Sequence, residues 1–352
     1  MHQAKFYKKL EDNKVKCTAC NQYCIISKGQ TGICSVRQNI DGELMVLVYG
    51  NAVGVAIDPI EKKPLYHFLP GKEVFSFGTI GCNFQCSFCQ NWDISQKSIE
   101  IKNKLMKEKK TEQLDFEIGK YGYKLSPQNI VKECLENNVD IIAYTYNEPT
   151  IFAEYVLDTA KLAKKSGIKN MFVSNGYESI ELLKEMKDVI DAVNIDLKSF
   201  NQEFYREICK ADLKPVLDTI KTIHKLGIWM EITTLIIPSK NDSENELKKI
   251  AEFIAGIDCN IPWHISAFHP MYKMNDIPST KLKILEKAFL IGKKAGLKYV
   301  YIGNVINNEK SNTYCSNCNK LLIKRDYFKA EFMKIKENKC SHCDFEIKGV
   351  WE

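Results

Sequence analysis

Eleven of the chain's fourteen cysteines fall into three groups, and these are the residues whose types and spacing can do chemistry. Grouped cysteines in a chain of 352 residues read as metal ligands rather than as disulfides. The middle group lies in Gly81-Cys82-Asn83-Phe84-Gln85-Cys86-Ser87-Phe88-Cys89 and has the spacing C-x3-C-x2-C. That spacing lets all three thiolates reach one cluster from a single loop. Their number matters more than the spacing. Four thiolates saturate a tetrahedral zinc or the four irons of a cubane, whereas three leave one iron open to a small molecule. A zinc site completed by a distant His is the competing reading of Cys82, Cys86 and Cys89.

The outer groups have four cysteines each. Cys315-x2-Cys318-x21-Cys340-x2-Cys343 has the paired knuckles of a zinc ribbon, and structural zinc is expected there. The metal is expected to do most of the folding of that segment, which has little core of its own. Cys17-x2-Cys20-x3-Cys24-x9-Cys34 is less regular and suits either structural zinc or an auxiliary iron–sulfur cluster. It does not repeat the middle loop, because Ser27 stands where a third cysteine would be needed. Cys134, Cys209 and Cys259 stand alone and are expected to serve packing.

The elements that position these groups follow from the apolar pattern. Residues 1–70 form a Cys-rich metal-binding region with a β-like stretch at Glu43–Tyr49, and residues 309–352 form the ribbon. Between them, residues 71–308 alternate short apolar strands with helical patterns. Strands are predicted at Val74–Phe77, Ile141–Tyr144, Met171–Val173, Ala192–Ile195, Glu231–Ile237, His264–Phe268 and Tyr299–Ile302. Ser126-Pro127 reads as a helix start, while Gly167, Gly227 and Gly296 read as helix ends. Repeated βα units of this kind imply an α/β fold with a parallel sheet, open or closed into a barrel. Residues 97–124 break the rhythm, and their charged, weakly patterned sequence reads as a solvated insertion or a lid.

A C-x3-C-x-aromatic-C loop after the first strand of a βα barrel resembles the signature of the radical S-adenosylmethionine (SAM) superfamily. The resemblance implies a partial (β/α) TIM-like barrel and a [4Fe-4S] cluster on Cys82, Cys86 and Cys89. Phe88 lies on the cofactor side, and the open iron chelates the amino and carboxylate groups of SAM. Tyr146-Asn147-Glu148-Pro149 occupies the place of the Gly-Gly-Glu-like element that contacts the SAM amino group. A helix N-terminal carboxylate is the structural alternative for Glu148. Ser174-Asn175-Gly176 and Asp196-Leu197-Lys198 resemble the elements that hold SAM ribose and carboxylate in glycyl-radical-enzyme activases, and His264 matches their adenosine-side His. Glu231 departs from the basic residue of pyruvate formate-lyase activase, which implies different target chemistry.

The longer runs Lys62–Gly71, Cys89-Gln90-Asn91-Trp92, Trp263–Pro270 and Tyr301–Val305 resemble the AmmeMemoRadiSam system radical SAM enzyme. That resemblance implies Memo-like and AMMECR1-like partner proteins, and an electron donor such as flavodoxin or ferredoxin. It also implies one-electron cleavage of SAM to a 5′-deoxyadenosyl radical that takes hydrogen from a target. The target is a glycine of a partner protein, as for the activases, or another residue, nucleotide or small molecule. The ribbon either recognises a protein or RNA target or only seals the barrel.

A net charge of +6 with interspersed Lys and Glu gives no nucleic-acid footprint by itself. No apolar run reaches the roughly 20 residues of a membrane span, so a cytoplasmic protein is expected. A non-catalytic adaptor built on two zinc modules is the remote alternative.

Overall fold

Residues 141–144 are fully buried, which is why they form a central parallel strand rather than an amphipathic edge. The computed structural model describes every residue except 307 and 308. Two compact units divide the chain: residues 1–57 with 74–191, and residues 58–73 with 192–352.

In the first unit, β1 (Glu73–Gly78), β2 (Ile141–Tyr144) and β3 (Lys169–Ser174) run parallel with β2 in the middle. Among the helices that accompany them are α1 (Lys97–Lys107), α2 (Leu114–Gly119), α3 (Pro127–Glu136) and α4 (Ala153–Lys165). The Ser126 hydroxyl accepts from the Asn129 amide at 3.2 Å and caps α3, with Pro127 at its first position, as the sequence predicts. The insertion at 97–124 is largely helical, a result the sequence reading did not reach. Ile101 with Leu105, and Leu114 with Ile118, are buried at i, i+4 spacing, while the charged residues around them hide the period.

The Cys-rich segment forms two small antiparallel sheets, one from Tyr7–Lys9, Val15–Cys17 and Ile25–Ile26. The other is built from His2–Gln3, Arg37–Ile40 and Glu43–Val46. Arg37 fastens it to α4 through a bidentate pair with Glu154, at 2.6 and 2.9 Å, and a third bond to the Ile151 carbonyl at 3.1 Å. Both partners are buried, so deleting either one would strand a charge inside the protein.

In the second unit, β4 (Ala192–Asp196), β5 (Trp229–Ile236), β6 (Trp263–Ala267) and β7 (Val300–Gly303) pair in sequence order, all parallel. The helices α5 (Leu213–Leu226), α6 (Glu244–Ile257) and α7 (Leu282–Lys294) alternate with them. Gly227 ends α5 at φ +74°, a left-handed position that glycine occupies without strain. Asp196, Thr233, His264 and Tyr301 are register partners across the four strands. In-register neighbours share one face of the sheet, so these four polar side chains form a row.

The C-terminal segment adds β8 (Thr313–Tyr314), β9 (Leu321–Asp326) and β10 (Lys329–Met333), paired antiparallel. Its apolar residues do not stand alone. Leu322, Ile323, Ile335, Ile347 and Trp351 form one core with Tyr66 and with Tyr299 and Tyr301 at β7. The expected coreless ribbon therefore borrows its core from the parallel sheet of its own unit. Among the described residues, no helix is long and apolar enough to cross a membrane.

Candidate active site and metal centres

The loop after β1 makes its turn at Gly81, where φ is +99°. A Cβ there would lie 2.9 Å from Ser98 Oγ and 3.1 Å from the Cys34 carbonyl oxygen, so only glycine fits. Asn147 holds the same turn by donating to the Gly81 carbonyl at 2.8 Å and to Thr79 Oγ1 at 3.1 Å. Asn91 donates to the Tyr146 carbonyl at 2.7 Å. Tyr146 and Asn147, read from the sequence as cofactor contacts, are thus found bracing the cysteine loop.

Cys82 opens the loop and is half-buried. The Phe84 amide donates to its sulfur at 3.4 Å, and Cys89 N donates to the Cys86 carbonyl at 3.2 Å. Burial pushes the Cys82 thiol well up, and the charges of Glu148, Cys86 and Cys89 push it further. A thiolate there needs a bound cation to be stable, which suits a metal cluster. Beside the sulfur, Asn175 Nδ2 donates to Asn83 Oδ1 at 2.7 Å. Asn83 Nδ2 and Asn175 Oδ1 are buried with no hydrogen-bond partner. One unsatisfied donor and one unsatisfied acceptor next to a cluster loop fit a polar ligand such as SAM. Phe88 is buried in this loop.

Glu148 caps the short helix Pro149–Phe152 by accepting from the Thr150 amide at 3.0 Å. It also accepts from Ser174 Oγ at 3.0 Å and from the Asn175 amide at 2.8 Å. Three sequence-predicted residues from two strand ends therefore meet at one carboxylate. Burial nevertheless holds the Glu148 carboxyl above its ordinary range, with these donors working the other way. Glu178, which the sequence reading missed, is pushed up to about 8, first by burial and then by the charge of Glu148.

In the second unit, Lys198 and Asp196 pair at 2.8 Å, and Asn241 anchors the Lys198 carbonyl at 2.7 Å. His264 is buried and bonds through Nε2 to Glu231 at 2.6 Å. Glu231 is fully buried and also accepts from the amides of Tyr66 and His67 and from Trp229 Nε1. Glu231, which stands where pyruvate formate-lyase activase has a basic residue, commits its oxygens to four protein donors. Neighbouring His67 is pushed down to about 4 by burial and stays neutral. Its Nδ1 donates to the Lys348 carbonyl at 2.8 Å, which leaves Nε2 to accept from the Tyr301 hydroxyl at 2.6 Å. Tyr301 bonds Thr313 at 2.9 Å, and Arg325 donates to Thr313 Oγ1 and to the Tyr66 carbonyl, each at 2.8 Å. His67 and Tyr66 lie in the Lys62–Gly71 run, but nothing in their spacing announces a buried network.

The C-terminal cysteines converge as the sequence predicts. The sulfurs of Cys315, Cys318, Cys340 and Cys343 all lie within 4.8 Å of one another. The Cys315–Cys343 and Cys318–Cys340 separations are 3.7 and 3.8 Å. A tetrahedron with metal–sulfur bonds of about 2.3 Å has edges of about 3.8 Å, so the four fit one metal ion. The N-terminal four are drawn together more loosely. Burial raises the Cys20 thiol well above its usual range, and the sulfurs of Cys17, Cys24 and Cys34 add to that. Cys134 and Cys209 are fully buried, in keeping with packing roles, while Cys259 is half-buried.

The superfamily model described as Radical SAM matches residues 77–254, from β1 through α6. The chain belongs to the radical SAM superfamily. Its α/β fold is the partial barrel of that superfamily, and the chain is an enzyme of the radical SAM class. The superfamily implies a [4Fe-4S] cluster and SAM. An uncharacterized protein of Methanocaldococcus jannaschii is 43% identical over 99% of this chain and 100% of its own length. A second protein of that organism, named provisionally as a glycyl-radical enzyme activating enzyme, is 29% identical over 63% of this chain and 76% of its own. The pyruvate formate-lyase-activating enzyme of Clostridium pasteurianum is 25% identical over 59% of this chain and 86% of its own.

Proposed function

We propose that Cys82, Cys86 and Cys89 hold the cluster and that the enzyme cleaves SAM reductively to take hydrogen from a target. The observation that carries this reading is the unpaired amide atoms of Asn83 and Asn175 beside Cys82. When bound there, a cluster with one open iron supplies the electron that cleaves SAM to a 5′-deoxyadenosyl radical. The protein's own residues do the positioning. Gly81 and Asn147 fix the loop, Asn83 and Asn175 offer a donor and an acceptor, and the buried carboxyls of Glu148 and Glu178 would ionise beside a cationic group such as an ammonium. Ser174 holds Glu148 in place, and for Asp196, Lys198 and His264 of the second unit the reading as SAM-binding residues is supported by the family resemblance of their motifs. Incubating anaerobically reconstituted protein with SAM and dithionite tests this. Formation of 5′-deoxyadenosine supports it, and a cluster-loaded protein that forms none overturns it.

The names of two relatives favour a second reading of the target, a glycine of a partner protein. It predicts a persistent glycyl radical, visible by electron paramagnetic resonance, when SAM, reductant and partner are combined. A stable mass change on the partner, without that signal, favours modification of another group instead. Memo-like and AMMECR1-like proteins are the partners to combine, with flavodoxin or ferredoxin as electron donor. Zinc is the metal proposed for Cys315, Cys318, Cys340 and Cys343, and either zinc or a second iron–sulfur cluster for Cys17, Cys20, Cys24 and Cys34. With eleven of its fourteen cysteines grouped as metal ligands, the chain suits the reducing cytoplasm.

A further inference from the structure

Glu231 and His264 form a buried pair whose proton positions follow from their surroundings. Each Glu231 oxygen receives one backbone amide and one side chain. Oε2 accepts from Tyr66 N at 2.9 Å and from His264 Nε2 at 2.6 Å. Oε1 accepts from His67 N at 2.7 Å and from Trp229 Nε1 at 3.1 Å. Burial works against the charge, but the bond from His264, with help from His67 and the Tyr66 amide, holds the carboxyl below its ordinary range. An ionised carboxylate can only accept, so His264 donates from Nε2.

The rest of the imidazole is held by shape. Tyr66 meets the ring edge-on at 4.6 Å, and Tyr301 stacks beside it at 5.3 Å. Nδ1 has no hydrogen-bond partner among the described residues. His264 also belongs to the polar row with Asp196 and Thr233, on the face where Asp196 pairs with Lys198.

We propose that Glu231 is a positioning residue that fixes His264 in its Nε2–H tautomer and leaves Nδ1 as an acceptor for a donor group of the bound molecule. The tautomer stands on the four donors gathered at an ionised Glu231; the use made of Nδ1 rests on the reading of His264 as a SAM contact. The Glu231→Gln variant gives the test a definite sign. Its amide NH2 must replace one carboxylate oxygen. At Oε1 it would face two fixed donors, the His67 amide and the Trp229 indole. At Oε2 it faces the Tyr66 amide and His264, and of these only the imidazole can switch to accepting. The variant is therefore expected to move the His264 proton to Nδ1.

Nitrogen-15 spectra of histidine-labelled full-length protein, which has six histidines, read the tautomer directly. The wild type should show Nε2 protonated and Nδ1 bare, and Glu231→Gln should show the reverse, with SAM binding weakened about tenfold. A wild-type His264 protonated on Nδ1 overturns the proposal without recourse to any variant. So does a folded Glu231→Gln protein that keeps the Nε2–H tautomer. Inversion of the tautomer with unchanged SAM affinity upholds Glu231 as the positioning residue and removes His264 from the SAM contacts.

Discussion

Ser174 Oγ donates to Glu148 Oε1 at 3.0 Å, so the residue that ends β3 is fastened to the carboxylate that follows β2. Both side chains are buried, and both come from strand ends, where barrel enzymes gather their functional groups. The pair keeps a carboxylate beside Asn175, and Asn175 in turn touches Asn83 in the cysteine loop.

Glu148→Gln should therefore separate charge from shape. The amide keeps the volume and part of the hydrogen bonding but loses the anion. SAM affinity should fall by about tenfold or more, since hydrogen bonds to charged groups contribute roughly 1.5–3 kcal/mol. Equilibrium dialysis with labelled SAM checks this on protein shown to be folded, with a lowered melting temperature expected because either position of the amide NH2 faces a backbone donor, Thr150 N or Asn175 N.

Gly81→Ala should cost cluster binding. The added methyl would press on Ser98 Oγ and the Cys34 carbonyl at a backbone angle that alanine resists. The variant is expected to retain much less iron than the wild type after identical anaerobic reconstitution. Iron content equal to wild type would show that the loop has slack that the geometry does not reveal.

Much of this was legible in the sequence, for physical reasons that differ by element. All seven predicted parallel strands are present, with ends displaced by at most two residues, because short apolar runs between helices have few alternatives. The ribbon cysteines were readable because paired C-x2-C knuckles have one geometric solution. Glu231 was not readable. Its partners Tyr66 and His67 lie 165 and 164 residues away along the chain, and no local pattern records such a contact. Arg37 and Glu154, separated by 117 residues, are illegible for the same reason. The helices at 97–124 were hidden because only an i, i+4 thread of apolar residues runs through a charged segment.

His67 gives the second unit a pH dependence whose sign can be worked out. Its folded value is pushed down to about 4 by burial, against about 6.5 in the unfolded chain. Below pH 6.5 the unfolded chain takes up a proton that the folded protein refuses. The stability is thus fully present above pH 6.5 and is lost as pH falls toward 4, by about 2 kcal/mol at pH 5. His67→Gln can keep the bonds to Lys348 and Tyr301 without titrating. Urea unfolding at pH 7 and pH 5 should show a smaller loss in the variant than in the wild type. Glu178 contributes the opposite slope to both proteins, so the difference between them isolates His67.

The C-terminal cysteines should hold metal independently of the cluster loop. Cys340→Ser should release the ribbon metal and lower the melting temperature, because the ribbon shares its core with Tyr66, Tyr299 and Tyr301. Elemental analysis should find the iron taken up on anaerobic reconstitution retained. Equal loss of both metals would contradict separate sites.

If three cysteines on one loop carry the chemistry, 5′-deoxyadenosine formation from SAM and dithionite must depend on them. The comparison is between the anaerobically reconstituted wild type and a variant with Cys82, Cys86 and Cys89 replaced by Ala. The wild type should form 5′-deoxyadenosine and the variant should form none. Undiminished formation by the variant would contradict that dependence.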